Sequence, residues 1–299
     1  MALKFTKHFG ISKNTPISFV DIPIDDNDLE AFICPFLIEK HKKDKLELQV
    51  SQRIKNFLRE LNTTYIKTND VNNGISFLDH LHEPNEYHLG YSSTNKGKAV
   101  SKSKANDIFN ALRNNAFSKQ NSSITNEAHN VLLLVDGIGQ DIMSDIISNV
   151  CRDIFANFTS KECLRLGIST KPIDIEFYND KANKWETTIV DLPQFGRHII
   201  LVPTTILSSK REFASRYNWF VSANYISKEV LNMSTPPSQK MISKMKDGTK
   251  KAIIKEIYKH YKKPKKNLVD FVIQYSNSLD EFIEYAKINY PELNLENLN

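Results

Sequence analysis

Residues 131–145, VLLLVDGIGQDIMSD, decide how the rest of the chain is read. A wholly apolar run breaks at Asp136, a Gly-Ile-Gly turn follows, and three aspartates lead into a helical pattern. The pattern predicts a buried strand, a tight loop and a helix start, with Asp141 as a natural N-cap. Side chains at the end of a buried strand, beside a helix N-terminus, are held in fixed positions while glycines let a ligand approach. This segment is therefore the expected seat of any chemistry.

A helix turns 100° per residue, so Asp141, Asp145, Ser148, Asn149 and Arg152 fall within a sector of about 100°. Ile142, Ile146, Ile147, Val150, Ile154 and Phe158 collect on the other side and are expected to pack on a sheet. Asp141 and Asp145 are then candidate ligands for Mg²⁺ or Mn²⁺, hard cations that prefer oxygen. The plainer alternative is that Asp141 only caps the helix while Asp145 pairs with Arg152 or faces water. Gly137 and Gly139 lack the third glycine of GxGxxG, and the aspartates repel phosphate, which disfavours a Rossmann-type site.

Upstream, His80, His82, Glu83, Glu86 and His88 form a dense group of ligand or acid/base side chains, without the HExxH spacing of a zinc protease. Glu83, held extended before Pro84, and Glu86 join Asp145 as candidate catalytic carboxylates. The loop beyond carries Gly90, Ser92, Ser93, Thr94, Lys96, Gly97 and Lys98. Ser92, Lys96 and Lys98 are candidate phosphate contacts, although the spacing is not that of a Walker A loop.

The remaining periodicities set the frame. Residues 17–38 read as two short strands around an acidic turn, with Pro35 ending or bending the second. Residues 46–61 repeat apolar side chains at helical spacing, 75–81 read as a second helix after a loop at 69–74, and Ile108, Phe109, Leu112 and Phe117 mark a third. Strict alternation predicts strands at 172–178 and 185–192 around a turn, and 198–202 reads as a further strand. The acidic strand face of Asp174, Glu176, Glu186 and Asp191 offers further ligands or a solvent face. The expected fold class is α/β with an α+β tendency: a mixed or antiparallel sheet with flanking helices and a small helical C-terminal domain. The loop 233–239, MSTPPSQ, separates a core domain at 1–232 from a basic helical domain at 240–299, read as helices at 249–261, 267–275 and 279–288, the last capped by Ser278.

With 299 residues, 40% hydrophobic and 25% charged, the chain has the balance of an ordinary globular protein. No apolar run approaches the ~20 residues that span a bilayer, so no membrane partner is expected. Cys34, Cys151 and Cys163 are widely spaced among apolar neighbours, as suits reduced, buried thiols in a cytoplasm. The net charge of +5 is uneven: eleven lysines from Lys240 to Lys266 face only Asp247 and Glu256. Such a patch, with Lys259, Lys262, Lys263, Lys265 and Lys266 at its densest, is an electrostatic footprint for nucleic acid or an ordinary solvated face.

FVDIPI with CPFLI, EPNEYHLGYS with its Gly-Lys loop, GIGQDIMSDIISN, and LVPTTIL together resemble a bacterial family associated with phage-defence and restriction-like gene neighbourhoods. The likeness runs from about Val20 to the C-terminal helices. Glu83, Pro84, Asn85, Glu86, Leu89, Gly90, Gly137, Gly139, Asp141, Ser144 and Asp145 are its most specific positions. Relatives carry a lysine after the proline of the LVP segment, where this chain has Thr204. The resemblance implies a defence setting more than a reaction.

The sharper expectation is a metal-dependent nuclease or phosphodiesterase. Asp141 and Asp145 hold Mg²⁺ or Mn²⁺ with help from Glu83 or Glu86, and Lys96 or Lys98 steadies the nucleic-acid backbone. Against it, no ExK or DxK triplet occurs in the chain. The rival is a non-catalytic defence component whose basic tail binds DNA, RNA or a partner subunit; a third reading is a nucleotide-signal sensor using the Ser/Lys loop.

Overall fold

Helices carry most of the core. The computed structural model describes residues 3–25, 27–90, 102–119 and 123–294. It is of mixed α/β class, with 55% helix and 13% strand, the strands forming small antiparallel sheets.

After a short α1 (Phe5–His8), β1 (Phe32–Ile33) runs into α2 (Pro35–His41). Pro35 fits the first turn of α2 because its fixed φ is already helical and its missing N–H is not needed there. The amphipathic α3 (Lys45–Glu60) buries Val50, Ile54, Phe57 and Leu58. Asp70 caps α4 (Val71–Leu78), its carboxylate accepting from the Asn73 amide at 3.3 Å. Helices α5 (Lys102–Asn114) and α6 (Ala116–Lys119) follow, and then α7 (Ala128–Leu134), α8 (Gln140–Val150) and α9 (Arg152–Leu166) run in close succession.

Strands β2 (Lys171–Asn179) and β3 (Lys184–Leu192) pair antiparallel in the register Ile173 to Val190 and Phe177 to Glu186. Their inner face closes on an aromatic cluster in which Phe57 stacks on Phe77 at 5.0 Å and meets Tyr178 edge-on at 5.1 Å. The two-residue strands β4 (Gln194–Phe195) and β5 (Arg197–His198) pair with each other, and β6 (Leu207–Ser208) returns to β1. The chain continues through α10 (Phe213–Val221), α11 (Ser227–Asn232), the hairpin of β7 (Ile242–Lys244) and β8 (Lys250–Ala252), α12 (Ile254–Tyr261), α13 (Val269–Gln274) and α14 (Ser278–Asn289).

The apolar core is continuous across 233–239. Phe36 of α2 stacks on Phe213 at 4.7 Å and meets Phe282 of α14 edge-on at 6.0 Å. The Leu293 amide donates to the Leu207 carbonyl, and Tyr217 and Ser278 share a buried hydroxyl bond at 2.7 Å.

Several local expectations are corrected. The run is helical over 131–134: α7 buries all its residues from Ala128 to Leu134, and Val135 is its extended C-cap. A short apolar run has no polar positions to reveal its period, so strand and helix look alike in sequence. The expected long helix from Asp141 breaks at Cys151, where α9 begins anew. Among the described residues of 17–38 only Phe32–Ile33 is a strand; Phe19, Pro23 and Leu29 make isolated bridges, to Pro203, Lys4 and Leu89. Residues 199–202 are buried but do not form a strand, because their amides go to scattered partners such as the Glu86 carbonyl and the Thr159 hydroxyl. Helix α4 already starts at Val71, inside the expected loop, and the expected helix from Thr249 is β8 before it becomes α12. All three cysteines are free and buried, as expected, and burial raises each thiol's pKa.

Candidate functional site

The turn between α7 and α8 is made by its glycines. Gly137 has φ of 85°, in the left-handed region where a side chain is strained. Gly139, not Asp141, is the N-cap of α8; a Cβ there would stand 2.6 Å from Asp141 Oδ1, so the carboxylate folds back over the helix N-terminus. That position favours an anion without any ligand.

One turn further on, Asp145 accepts a hydrogen bond from Lys104 Nζ at 2.7 Å, and the same ammonium lies 3.8 Å from Glu83. Glu83, Asp145 and α5 therefore meet at one point. Burial pushes the Asp145 carboxyl up to about 6, with Lys104 pulling the other way. Burial opposes the Lys104 charge, but Asp145 outweighs it and the ammonium's pKa is raised. The candidate cation position is thus held by the chain's own ammonium. Among the described residues, Glu83, Asp141 and Asp145 do not bring their oxygens within 4.8 Å of one another as a three-ligand set.

Glu86 belongs to a different environment. It is buried and pairs with Arg152 Nε at 2.9 Å. Asn149 donates to the carbonyls of His82 and Asp145, both at 2.8 Å, and accepts from Arg152 at 2.7 Å, while the Tyr87 hydroxyl donates to the Ser148 carbonyl. The polar stripe of α8 is real, but below Asp145 it is the seam that latches the 82–87 segment rather than an open ligand face. Arg152, the sequence-level partner for Asp145, is engaged by Glu86. His80 hydrogen-bonds Glu176 at 2.9 Å and stacks on Trp185, so it too lies on the hairpin side.

The basic segment reaches the turn. Lys265 Nζ donates to the Ile138 carbonyl at 2.7 Å; burial lowers its pKa to about 8, and Asp136 and Asp141 oppose that shift. Beside it opens a cleft of about 330 Å³ lined by Asn110, Asn114, Asn115, Asp136 and Lys266. Lys263 pairs with Asp270 at 2.9 Å, whereas Lys259, Lys262 and Lys266 are exposed. Ser92, Lys96 and Lys98 lie outside the described residues. A larger cleft of about 540 Å³ lies elsewhere, at Arg53, Asp153 and Asp180, and contains none of the expected site residues.

Sequence reasoning missed Lys104 and the docking of Lys265. Neither stands in a motif, and only the convergence of remote helices brings them to the acidic residues.

These features define a helix-rich α/β protein with an acidic turn flanked by two lysines. Residues 10–214 match the domain of unknown function DUF8370, and the chain belongs to that family. No curated protein and no solved structure matches it. No helix among the described residues is long and apolar enough to cross a membrane.

Proposed function

We propose that this protein binds nucleic acid, DNA foremost, through its lysine-rich C-terminal segment, in the antiviral defence setting that the sequence resemblance implies. The supporting observation is the state of the lysines. Of the eleven between Lys240 and Lys266, nine are exposed, and none of those nine forms an ion pair with a described carboxylate. Lys255 and Lys259 stand one turn apart on α12, Lys262 follows at its C-cap, and Lys244 stands directly opposite Lys250 across the hairpin. Like charges facing each other are unfavourable by themselves and are relieved by a polyanion. Phosphate contacts of this kind make affinity fall steeply with salt. Fluorescence anisotropy with labelled single-stranded DNA, double-stranded DNA and RNA, over a salt series, tests the reading. Binding is expected to weaken with salt and to be lost when Lys255, Lys259 and Lys262 become glutamate. Equal affinity in that variant removes the proposal.

A second reading, metal-dependent phosphodiester hydrolysis with Mg²⁺ or Mn²⁺, draws on the cation-seeking pair of Asp145 and Glu83 around Lys104. A metal would have to displace that ammonium and draw in Asp141. Nuclease assays on the wild type and Asp145→Ala test it: activity that survives in the variant excludes this site.

A further inference from the structure

Glu39 on α2, Glu127 at the N-cap of α7 and His129 in its first turn come together away from the acidic turn. One ligand atom from each lies within 4.8 Å of the other two. His129 is 6% exposed, and neither ring nitrogen has a hydrogen-bond partner among the described residues; its ring contact is Phe36, at 5.8 Å. The ring is buried, yet neither nitrogen is among the fully enclosed polar atoms, so both keep contact with solvent and are open to a ligand. The two carboxylates are its polar neighbours, in a cleft of only about 10 Å³ that it shares with Ser51 and Lys55. That is room for one water or one ion.

We propose that Glu39, Glu127 and His129 form a binding site for a transition divalent cation of the Zn²⁺ class. One imidazole nitrogen with two carboxylate oxygens suits Zn²⁺, Co²⁺ or Mn²⁺, whereas Mg²⁺ prefers an all-oxygen shell. Tetrahedral bonds of 2.0–2.2 Å put ligand atoms about 3.4 Å apart, so modest rotation of the two glutamates closes the shell and leaves a fourth position for water. Burial lowers the His129 pKa and keeps the ring neutral, the form that binds metal.

The carboxylates are already balanced. Glu39 accepts from Lys42 and from Ser51, both at 2.8 Å, and Glu127 pairs with Lys55. Both lysine side chains are about half exposed, at 51% and 52%. They can swing into water at little cost, and exchanging two ammonium charges for one divalent cation leaves the local charge unchanged. The bound ion would pin α2 to the start of α7, the helix that delivers the Gly-Ile-Gly turn.

The test is titration of the metal-stripped full chain with Co²⁺, followed by visible absorption, with Zn²⁺ and Mg²⁺ as competitors. Co²⁺ is expected to develop the intense ligand-field bands of low coordination number, to be displaced by Zn²⁺ and to resist millimolar Mg²⁺. His129→Ala is expected to lose binding beyond the ~10–100-fold that follows removal of an outer partner. Lys42→Ala with Lys55→Ala, both at half-exposed positions, removes the competing charges and is expected to tighten binding roughly tenfold. A folded His129→Ala that keeps the bands overturns the site. If that variant does not fold, the lysine pair decides, and unchanged or weaker affinity there overturns it equally.

Discussion

Lys104 Nζ sits 2.7 Å from Asp145 Oδ2, joining α5 to α8, the helix that follows the glycine turn. The pair converts an acidic cluster into a neutralised one, and its proton equilibria can be measured.

Asp145 titrates in the folded protein near 6, above its ordinary 3.8. The folded state therefore holds a proton that the unfolded state has lost across that window, and this group's contribution to stability falls as pH rises from about 4 to 6. Lys104→Met removes the opposing pull, so the Asp145 midpoint, followed by carboxyl carbon NMR, is expected to move well above 6. A midpoint that stays or falls means Lys104 does not hold Asp145.

Glu86 and Arg152 form the buried ion pair beneath the seam, their side chains 9% and 6% exposed. Glu86→Gln leaves a buried guanidinium without its counter-charge and is expected to cost about 3–5 kcal/mol in denaturant unfolding. Glu86→Leu with Arg152→Met should cost less than the single change; a larger loss would contradict this account.

Gly74 lets α4 and α5 touch. A Cβ there would lie 2.2 Å from the ring of Phe109, which is fully buried. Gly74→Ala must push the helices apart, an overpacking loss of roughly 1–3 kcal/mol expected as a lower melting temperature.

Lys265 titrates near 8 rather than 10.5. Between those values the unfolded chain keeps a proton that the folded protein has released, so this lysine's contribution to stability rises with pH from about 8 to 10.5. The difference in thermal stability between wild type and Lys265→Met should therefore change across that range and be flat between pH 6 and 7. No change above pH 8 would show that the amine is not buried against Ile138.

Lys250→Glu replaces a like-charge pair across the β7–β8 hairpin with an opposite one. Stability is expected to rise by about 0.2–1 kcal/mol, while affinity for DNA falls. The opposite signs separate a binding role from a folding role, and a variant that binds as before argues that these lysines only solvate the surface.

The amino-acid sequence by itself determined those features that repeat along the chain. Apolar spacing located α3, α5 and α8, strict alternation located the β2–β3 hairpin, and the 100° rotation per residue put Asp145 and Asn149 on one stripe of α8. Uniformly apolar 131–135 carried no such signal, and only the fold shows that 131–134 complete α7 while Val135 is extended. Only tertiary structure decided the partners: Lys104 for Asp145, 41 positions away, and Lys265 for the Ile138 carbonyl, 127 away. A charge in sequence is a property of one residue, but its pairing depends on which helices the shared core brings together. Helical spacing marks which face is polar, whereas packing decides whether that face meets water, a buried arginine or a lysine from another helix.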